Sequence, residues 1–300
     1  MSRNSDPSQP LRDFRRTREF FVGIDSDGCA FDTMEVKHKE CFIPQFIKHF
    51  RLEAVSRFAR EVSEFVNLYS RDRGTNRFPA YLKTLDLLAQ RPEVSRRGFQ
   101  VPKLAGLRAW VARETRLANP ALKAEVERTR DPDLTLAYAW SVDVNRSIEE
   151  TVRHVPPFPW VRESLEALQG KADVMVVSAT PVEALTREWE AHDLARFVAL
   201  IAGQELGGKR ELLETAAGPE RYARDHVLMI GDAPGDHQAA LANGVLFYPI
   251  NPGAEEDSWR RFHDEALDRF FAGTYAGDYM TGLVAEFEKL LPQSPPWKSA

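Results

Sequence analysis

Two short acidic segments in this sequence follow apolar runs and carry residue types that can perform proton transfer, nucleophilic attack or metal binding. Asp25 and Asp27 come directly after the apolar run 20–24, and Gly28 follows them. Two carboxylates two residues apart can divide the work, because one can coordinate a cation and attack while the other moves a proton. Aspartate and glycine are also ordinary turn residues, so a purely structural turn is the alternative.

The second acidic segment, 231–236, follows the apolar run 227–230. Its aspartates, Asp232 and Asp236, supply only oxygen ligands, which suit Mg²⁺. Asp236 could also cap the helix that begins beside it, and this is compatible with a metal-binding role for Asp232. We expect these carboxylates to meet Asp25 around one hard cation, because loops at the carboxyl ends of parallel strands share a crevice.

Two further segments have residues suited to an anionic group. Ser178 and Ala179 follow the apolar run 174–177, and a hydroxyl with backbone N–H groups at a helix start can hold phosphoryl oxygens. Simple helix capping is the alternative there. Lys209 opens a predicted helix, where the helix dipole favours anions, so an anionic partner would explain the lysine.

The elements that must position these residues are strands and helices in alternation. Short apolar runs predict strands at 20–24, 174–177, 227–230 and 245–248, with a weaker one at 197–201. Helical patterns lie between and after them, at 160–168, 181–192, 236–242, 256–271 and 280–291. This alternation predicts an α/β fold with a Rossmann-like, doubly wound parallel sheet.

A long insert interrupts the alternation. From 34 to 155 the apolar residues fall at helical spacing and no strand-like run occurs, which predicts an all-helical domain. Residues 33–155 carry 22 basic and 16 acidic side chains, against 18 and 29 in the rest of the chain. A basic insert beside an acidic core suits an enzyme of phosphate esters, although solvated helix faces explain it as well. The predicted domains are therefore a disordered leader at 1–19, a core at 20–33 and 156–300, and the insert at 34–155.

The composition narrows the class of protein. The chain has 300 residues, 43% of them hydrophobic, and a formal net charge of −5, which argues against binding to nucleic acid or to a membrane surface. Cys29 and Cys41 lack CxxC spacing and are too few for a disulfide framework, so we expect free thiols and a cytoplasmic location. The chain has neither a long apolar run nor an apolar segment near its start, so we expect neither a membrane span nor a secretory signal.

The order of the four segments resembles the haloacid dehalogenase superfamily. The family motifs are DxDG[TV]xxD after a strand, a strand-end Ser or Thr, a Lys and GDxxxD; here they correspond to Asp25 through Asp32, Ser178, Lys209, and Gly231 through Asp236. The insert lies where the helical C1-type cap of that family lies. Cys29 stands where Thr or Val is usual, and Ala30 where a larger apolar residue is common.

The resemblance implies a Mg²⁺-dependent phosphatase that cleaves a small phosphomonoester through an aspartyl-phosphate. It implies that Asp25 is the nucleophile, that Asp27 is the general acid/base with a backbone carbonyl near the metal, that Asp232 and Asp236 bind the metal, and that Ser178, Ala179 and Lys209 bind the phosphoryl group. Asp27 favours phosphate-ester chemistry, because relatives that cleave carbon–halogen bonds usually lack this acid. A phosphomutase and a non-catalytic binding module on the same fold are the alternatives.

Substrate specificity is expected to come from the insert. One segment there has closely spaced groups that can clamp a phosphate or carboxylate: Arg71, Arg73, Asn76 and Arg77. A solvated turn between helices is the alternative. We expect a small phosphorylated metabolite as the partner, and nothing in the sequence indicates an oligomer.

Overall fold

The computed structural model describes residues 9–298, which form two compact units. The α/β unit comprises residues 9–32 and His154–Leu291, and the helical unit comprises Thr33–Arg153 and residues 292–298. The chain therefore passes between the units three times. Residues 1–8 of the predicted leader lie outside the described residues.

The α/β unit is built on a sheet of five parallel strands within the described chain. The strands are β1 (Phe20–Ile24), β2 (Ala172–Val177), β3 (Leu200–Ala202), β4 (Val227–Gly231) and β5 (Leu246–Pro249). Each of the five predicted apolar runs contains one of these strands or overlaps it. Their order across the sheet is β3-β2-β1-β4-β5. Almost every strand residue is buried, as expected for a parallel sheet covered on both faces.

Helices account for most of the remaining structure. Along the described chain the α-helices are α1 (Gln9–Asp13), α2 (Thr33–Val36), α3 (Ile43–His49), α4 (Ser56–Leu68), α5 (Arg77–Ala89), α6 (Pro92–Arg96), α7 (Ala105–Arg113), α8 (Asn119–Thr129), α9 (Pro132–Thr151), α10 (Val161–Leu168), α11 (Val182–Ala191), α12 (Lys209–Ala217), α13 (Pro234–Asn243), α14 (Glu255–Arg261), α15 (Leu267–Phe271) and α16 (Asp278–Leu290). One π-helical segment joins α2 to α3, and another joins α14 to α15. Within residues 9–298, no helix is both long enough and apolar enough to cross a lipid bilayer.

Helices cover both faces of the sheet, because successive strand residues point to opposite sides. Val22 and Ile24 of β1 belong to one buried layer, with α10, α11 and the helices from α14 onwards. Phe21 of β1 belongs to the other layer, with α1, α12 and α13. The predicted doubly wound arrangement is therefore confirmed. All described secondary structure from 33 to 153 is helical and surrounds a separate core that contains Trp110 and Trp140.

The strand order places a topological switch point between β1 and β4. The chain moves outward from β1 to β2 and β3, and then returns to the other side of β1 to form β4. Loops that leave the carboxyl ends of the two strands at such a point run in opposite directions and open a crevice, which is where open α/β sheets bind ligands. Both acidic segments leave the sheet at this point.

Residues 9–19 correct the prediction of a disordered leader. They include α1, and Leu11 and Phe14 are buried against the sheet layer that contains α12. The backbone N–H groups of Thr17 and Arg18 both donate to Asp173 at 2.8 Å. The prediction is wrong here because two apolar side chains and one buried acceptor far along the chain are enough to order a polar segment. At the other end, residues 292–298 belong to the helical unit, so the α/β core stops at Leu291 instead of 300.

Candidate active site

Asp25 is positioned by the pairing of β1 with β4. It is the first residue after β1, and its N–H donates to the Ile230 carbonyl of β4 at 3.0 Å. Its carboxylate is almost fully buried and accepts a hydrogen bond of 2.8 Å from the N–H of Ser26. The strand register thus directs this carboxylate into the crevice between β1 and β4.

The loop after Asp25 folds back on itself. The Ser26 carbonyl accepts hydrogen bonds from the N–H groups of Ala30 and Phe31, at 2.9 and 3.0 Å. Gly28 donates to the Phe31 carbonyl at 2.8 Å and has a φ of +76°, which favours glycine because a Cβ makes that conformation strained. The compact turn explains the glycine of the first motif.

Three buried carboxylates from two different loops come together at the switch point. Asp25, Asp232 and Asp236 are 6%, 1% and 0% exposed, and each places one oxygen within 4.8 Å of the others. Oxygen ligands in such a group can hold a divalent metal ion. The structure therefore brings together three of the four residues that the sequence predicts as metal ligands.

Lys209, the first residue of α12, joins this group. Its Nζ lies 2.7 Å from Oδ2 of Asp25 and 2.5 Å from Oδ1 of Asp236. Burial lowers the pKa of Lys209, but the two carboxylates outweigh burial and the net pKa is raised, so the lysine is charged. These two carboxylates are an anionic partner for Lys209, as we expected for a lysine at the start of a helix.

Asp236 lies at the centre of the cluster. Burial raises its pKa to about 7; Lys209 opposes the rise, while Asp25 and Asp232 add to it. Three ionised carboxylates with one ammonium would leave two uncompensated negative charges in a buried site, which is unfavourable. A divalent cation would balance that charge, so the donor set fits a metal such as Mg²⁺.

Asp236 also caps α13, which confirms the capping interpretation of this residue, while its metal-binding role stays a prediction. Its Oδ2 accepts a hydrogen bond from the N–H of Ala233 at 3.1 Å, while Oδ1 faces Lys209. A Cβ on Gly231 would lie only 2.3 Å from Cγ of Asp236. The glycine of the fourth motif is therefore the residue that allows Asp236 to approach β4.

The loop after β2 lies on the opposite side of β1 and supplies hydroxyl groups. Ser178 is buried, its N–H donates to the Ala202 carbonyl at 3.0 Å, and its Oγ accepts a hydrogen bond from the N–H of Thr180. The Thr180 hydroxyl in turn donates to Oδ2 of Asp27 at 2.7 Å. Ala179 is exposed. Sequence analysis missed Thr180, although a second hydroxyl two residues after Ser178 was a visible signal.

Asp27 is half-buried, and its carboxylate contacts Thr180. The structure thus links the second aspartate of the first motif to the loop of the second motif. The predicted contribution of the Asp27 backbone carbonyl to a metal site stays a prediction.

The arginine-rich segment of the helical unit has structural contacts. The Arg73 guanidinium is buried and donates to the Leu68 carbonyl at the end of α4, at 2.9 Å. Asn76 caps α5 by accepting a hydrogen bond from Phe78. Arg77 donates to Oδ1 of Asn145 at 2.7 Å, and burial lowers its pKa to about 10.

Arg71 differs from Arg73 and Arg77, the other two arginines of this segment, because it is exposed. The contacts of Arg73, Asn76 and Arg77 join helices of one unit and account for these residues without a substrate. The predicted substrate-binding role of the segment stays a prediction. The expected free thiols are confirmed, because Cys29 and Cys41 are both buried and are not joined by a disulfide.

Comparison with known proteins finds one family model that matches part of the chain. The family model for haloacid dehalogenase-like hydrolases matches residues 117–249, a range that contains Ser178, Lys209, Asp232 and Asp236. This match covers less than half of the 300 residues and does not include the first motif around Asp25, so over residues 117–249 the chain is similar to haloacid dehalogenase-like hydrolases.

Individual relatives are distant. A 5′-nucleotidase of Pseudomonas aeruginosa is 32% identical over 111 residues, which are 35% of this chain and 50% of that protein. The matched region thus spans half the length of this curated relative. A solved structure from Lactobacillus delbrueckii subsp. bulgaricus, assigned to the phosphoglycolate phosphatases, has a TM-score of 0.49 and is 16% identical in sequence. The match covers 83% of this chain and 92% of that structure. A haloacid dehalogenase-like hydrolase from Streptococcus pneumoniae has a TM-score of 0.42, 12% identity, and coverage of 80% and 90%.

Proposed function

We propose that this protein is a Mg²⁺-dependent phosphatase that hydrolyses small phosphomonoesters through an aspartyl-phosphate on Asp25. The observation that carries the proposal is the buried cluster of Asp25, Asp232, Asp236 and Lys209 at the switch point of the sheet. Asp27 lies two residues from Asp25 on the same loop and can serve as the acid/base.

The metal would be held by the carboxylates of Asp25, Asp232 and Asp236. When bound, Mg²⁺ offsets negative charge on the carboxylates and on the phosphoryl oxygens, which otherwise repel the nucleophile. The buried group has two more negative than positive charges when its members are ionised, and this imbalance supports a divalent ion at the site.

The residues of the chain divide the remaining chemistry. A carboxylate oxygen of Asp25 attacks phosphorus and forms a new O–P bond while the bond to the leaving oxygen breaks. Asp27 gives its proton to the leaving oxygen, so that the product departs as an alcohol. Water then attacks the aspartyl-phosphate, Asp27 takes a proton from that water, and the bond from Asp25 to phosphorus breaks to release phosphate. Lys209 and Ser178 offset the charge of the transferred group and hold its oxygens.

The test is a turnover screen with Mg²⁺ against aryl phosphates and a panel of small phosphomonoesters. Nucleoside 5′-monophosphates come first, because the Pseudomonas relative is named a 5′-nucleotidase. We expect phosphate release that needs Mg²⁺ and that falls by about 10³-fold or more in Asp25→Asn, since the amide is a far weaker nucleophile.

The matched control is Glu256→Gln, which changes an exposed carboxylate on α14 to an amide in the same way. This variant should keep full activity. Equal rates for Asp25→Asn and wild type would contradict a covalent role for Asp25. An absence of turnover across the whole panel would contradict the proposed phosphatase activity.

A further inference from the structure

Side chains of α11 form hydrogen bonds with the loop that carries Asp25 and Asp27. Trp189 is fully buried, and its indole N–H donates to Oγ of Ser26 at 3.0 Å. The Ser26 hydroxyl donates in turn to Glu188 at 3.2 Å. Ser26 stands between the two aspartates, so this helix fixes the backbone from which both carboxylates project.

Backbone fixation leaves the direction of the Asp27 carboxylate undecided, because an aspartate side chain still rotates about two bonds. The Thr180 hydroxyl donates to Oδ2 of Asp27 at 2.7 Å, the usual distance for an O–H donor. This hydrogen bond connects two loops that are 153 positions apart in the chain. By fixing Oδ2 it also sets the direction of Oδ1.

Thr180 is itself held in place. Its N–H donates to Oγ of Ser178 at 3.2 Å, and its carbonyl accepts a hydrogen bond from the N–H of Gln204 at 3.1 Å. A Cβ at position 203 would lie 2.4 Å from the Thr180 carbonyl oxygen, so Gly203 permits this close approach. Pro181 restricts the backbone of Thr180, and a β-branched side chain has few χ1 rotamers. The hydroxyl is therefore a rigid donor.

We propose that Thr180 is a positioning residue for proton transfer: it holds the Asp27 carboxylate in the direction that delivers a proton to the leaving oxygen. The inference rests on the proposed function and goes beyond it by adding a residue outside the four motifs. Thr180 acts through Asp27, so in the first step, the formation of the aspartyl-phosphate, its importance depends on how much the leaving group needs an acid. Poor leaving groups such as alkoxides need protonation, whereas acidic phenols depart with little help.

The experiment compares Thr180→Val with wild type on a series of aryl phosphates of graded leaving-group acidity and on one alkyl phosphate, with Mg²⁺ saturating. Valine keeps the shape of threonine and removes only the donor. We expect kcat/KM on the alkyl phosphate, which includes only the steps through departure of the leaving oxygen, to fall about 10- to 100-fold, the effect of a misplaced acid. On the most acidic phenol the variant should match wild type in kcat/KM, and Thr180→Ser should recover most of the kcat/KM lost on the alkyl phosphate.

Two controls separate positioning from a general structural effect. Thr186→Val makes the same change at a half-buried site on α11 and should leave every rate unchanged. In an Asp27→Asn background, Thr180→Val should cause no further loss, because the group that it positions is already gone.

The outcomes are distinguishable. A loss in kcat/KM that is uniform across all leaving groups, or that persists in the Asp27→Asn background, would overturn the inference and leave the proposed phosphatase intact. Unchanged rates for Thr180→Val on the alkyl phosphate would do the same. A wild-type protein that releases no phosphate from any member of the series would overturn both.

Discussion

The geometry of the candidate site depends on one pair of residues, Asp236 and Gly231, which lie very close together. Asp236 faces Lys209 with one oxygen and caps α13 with the other, and it can do both only because position 231 has no side chain. A buried carboxylate that is held from two sides is a well-oriented ligand, since the groups around a metal ligand set its direction. The glycine is thus part of the proposed metal site although it offers no ligand.

Gly231→Ala should therefore displace Asp236. We expect Mg²⁺ affinity, measured by isothermal titration calorimetry, to fall at least about 10-fold, the usual effect of disturbing the groups that orient a ligand. The free energy of unfolding should fall by about 1–3 kcal/mol, because the added methyl overpacks a buried contact. The matched control is Gly235→Ala in the first turn of α13, where an added Cβ meets nothing within 4 Å. Mg²⁺ binding by Gly231→Ala as tight as that of wild type would refute this account of the motif.

At the element scale, one buried carboxylate attaches the segment before β1 to the start of β2. Asp173 is 5% exposed and accepts hydrogen bonds from the N–H groups of Thr17 and Arg18, from the Thr17 hydroxyl and from the Tyr222 hydroxyl, at 2.6 to 2.8 Å. Burial raises the pKa of Asp173, but these hydrogen bonds outweigh burial and the net pKa is lowered. The ionised form therefore stabilises the folded state.

Asp173→Asn should destabilise the protein by about 1–3 kcal/mol near pH 7, because the amide accepts fewer and weaker hydrogen bonds. A lowered folded pKa means that the contribution is present above the ordinary aspartate value and is lost as the pH falls through the folded value. The gap between variant and wild type should thus close on acidification, as measured by urea unfolding at a series of pH values. Asp225→Asn, at an exposed site, should change little. A gap that is constant with pH would contradict an electrostatic origin.

At the scale of the whole molecule, the chain enters the helical unit twice. After α16 it leaves the α/β unit, and residues 292–298 pack within the helical unit. The Trp297 ring lies 5.4 Å from the Phe65 ring and 4.6 Å from the guanidinium carbon of Arg91. Arg91 is 5% exposed and also pairs with Glu61 at 2.6 Å. The end of the described chain thus completes the packing of α4 and α6.

Trp297→Ala should weaken the helical unit by about 1–3 kcal/mol, through the loss of a half-buried ring and its contact with a cation. Hydrogen exchange should show faster exchange in α4 and α6 and unchanged exchange in β1 and β4. Trp297→Phe, which keeps a ring, should lose less, and Lys298→Ala at an exposed neighbour should have almost no effect. Faster exchange in the sheet alone would contradict the prediction that Trp297 stabilises the helical unit.

The sequence alone was sufficient to predict those features of the fold that depend on neighbouring residues. Runs such as 227–230 are apolar enough to predict buried strands, and the switch-point rule then places Asp232 beside Asp25. The arginine-rich segment shows the limit of such reasoning. Closely spaced arginines such as Arg73 and Arg77 can bind a substrate or join two helices, and the sequence looks the same in both cases. Only their acceptors, the Leu68 carbonyl and the side chain of Asn145, distinguish the two.

Three features of the fold could be predicted from the sequence, because they depend on residue type and short spacing: the alternation of strands and helices, the helical insert and the acidic loops at strand ends. Three contacts could be seen only in the folded chain: the pairing of Lys209 with both Asp25 and Asp236, the hydrogen bond from Thr180 to Asp27, and the hydrogen bonds from residues 17 and 18 to Asp173. These contacts join residues far apart in the chain. Their existence depends on strand order, register and packing, which no local pattern contains.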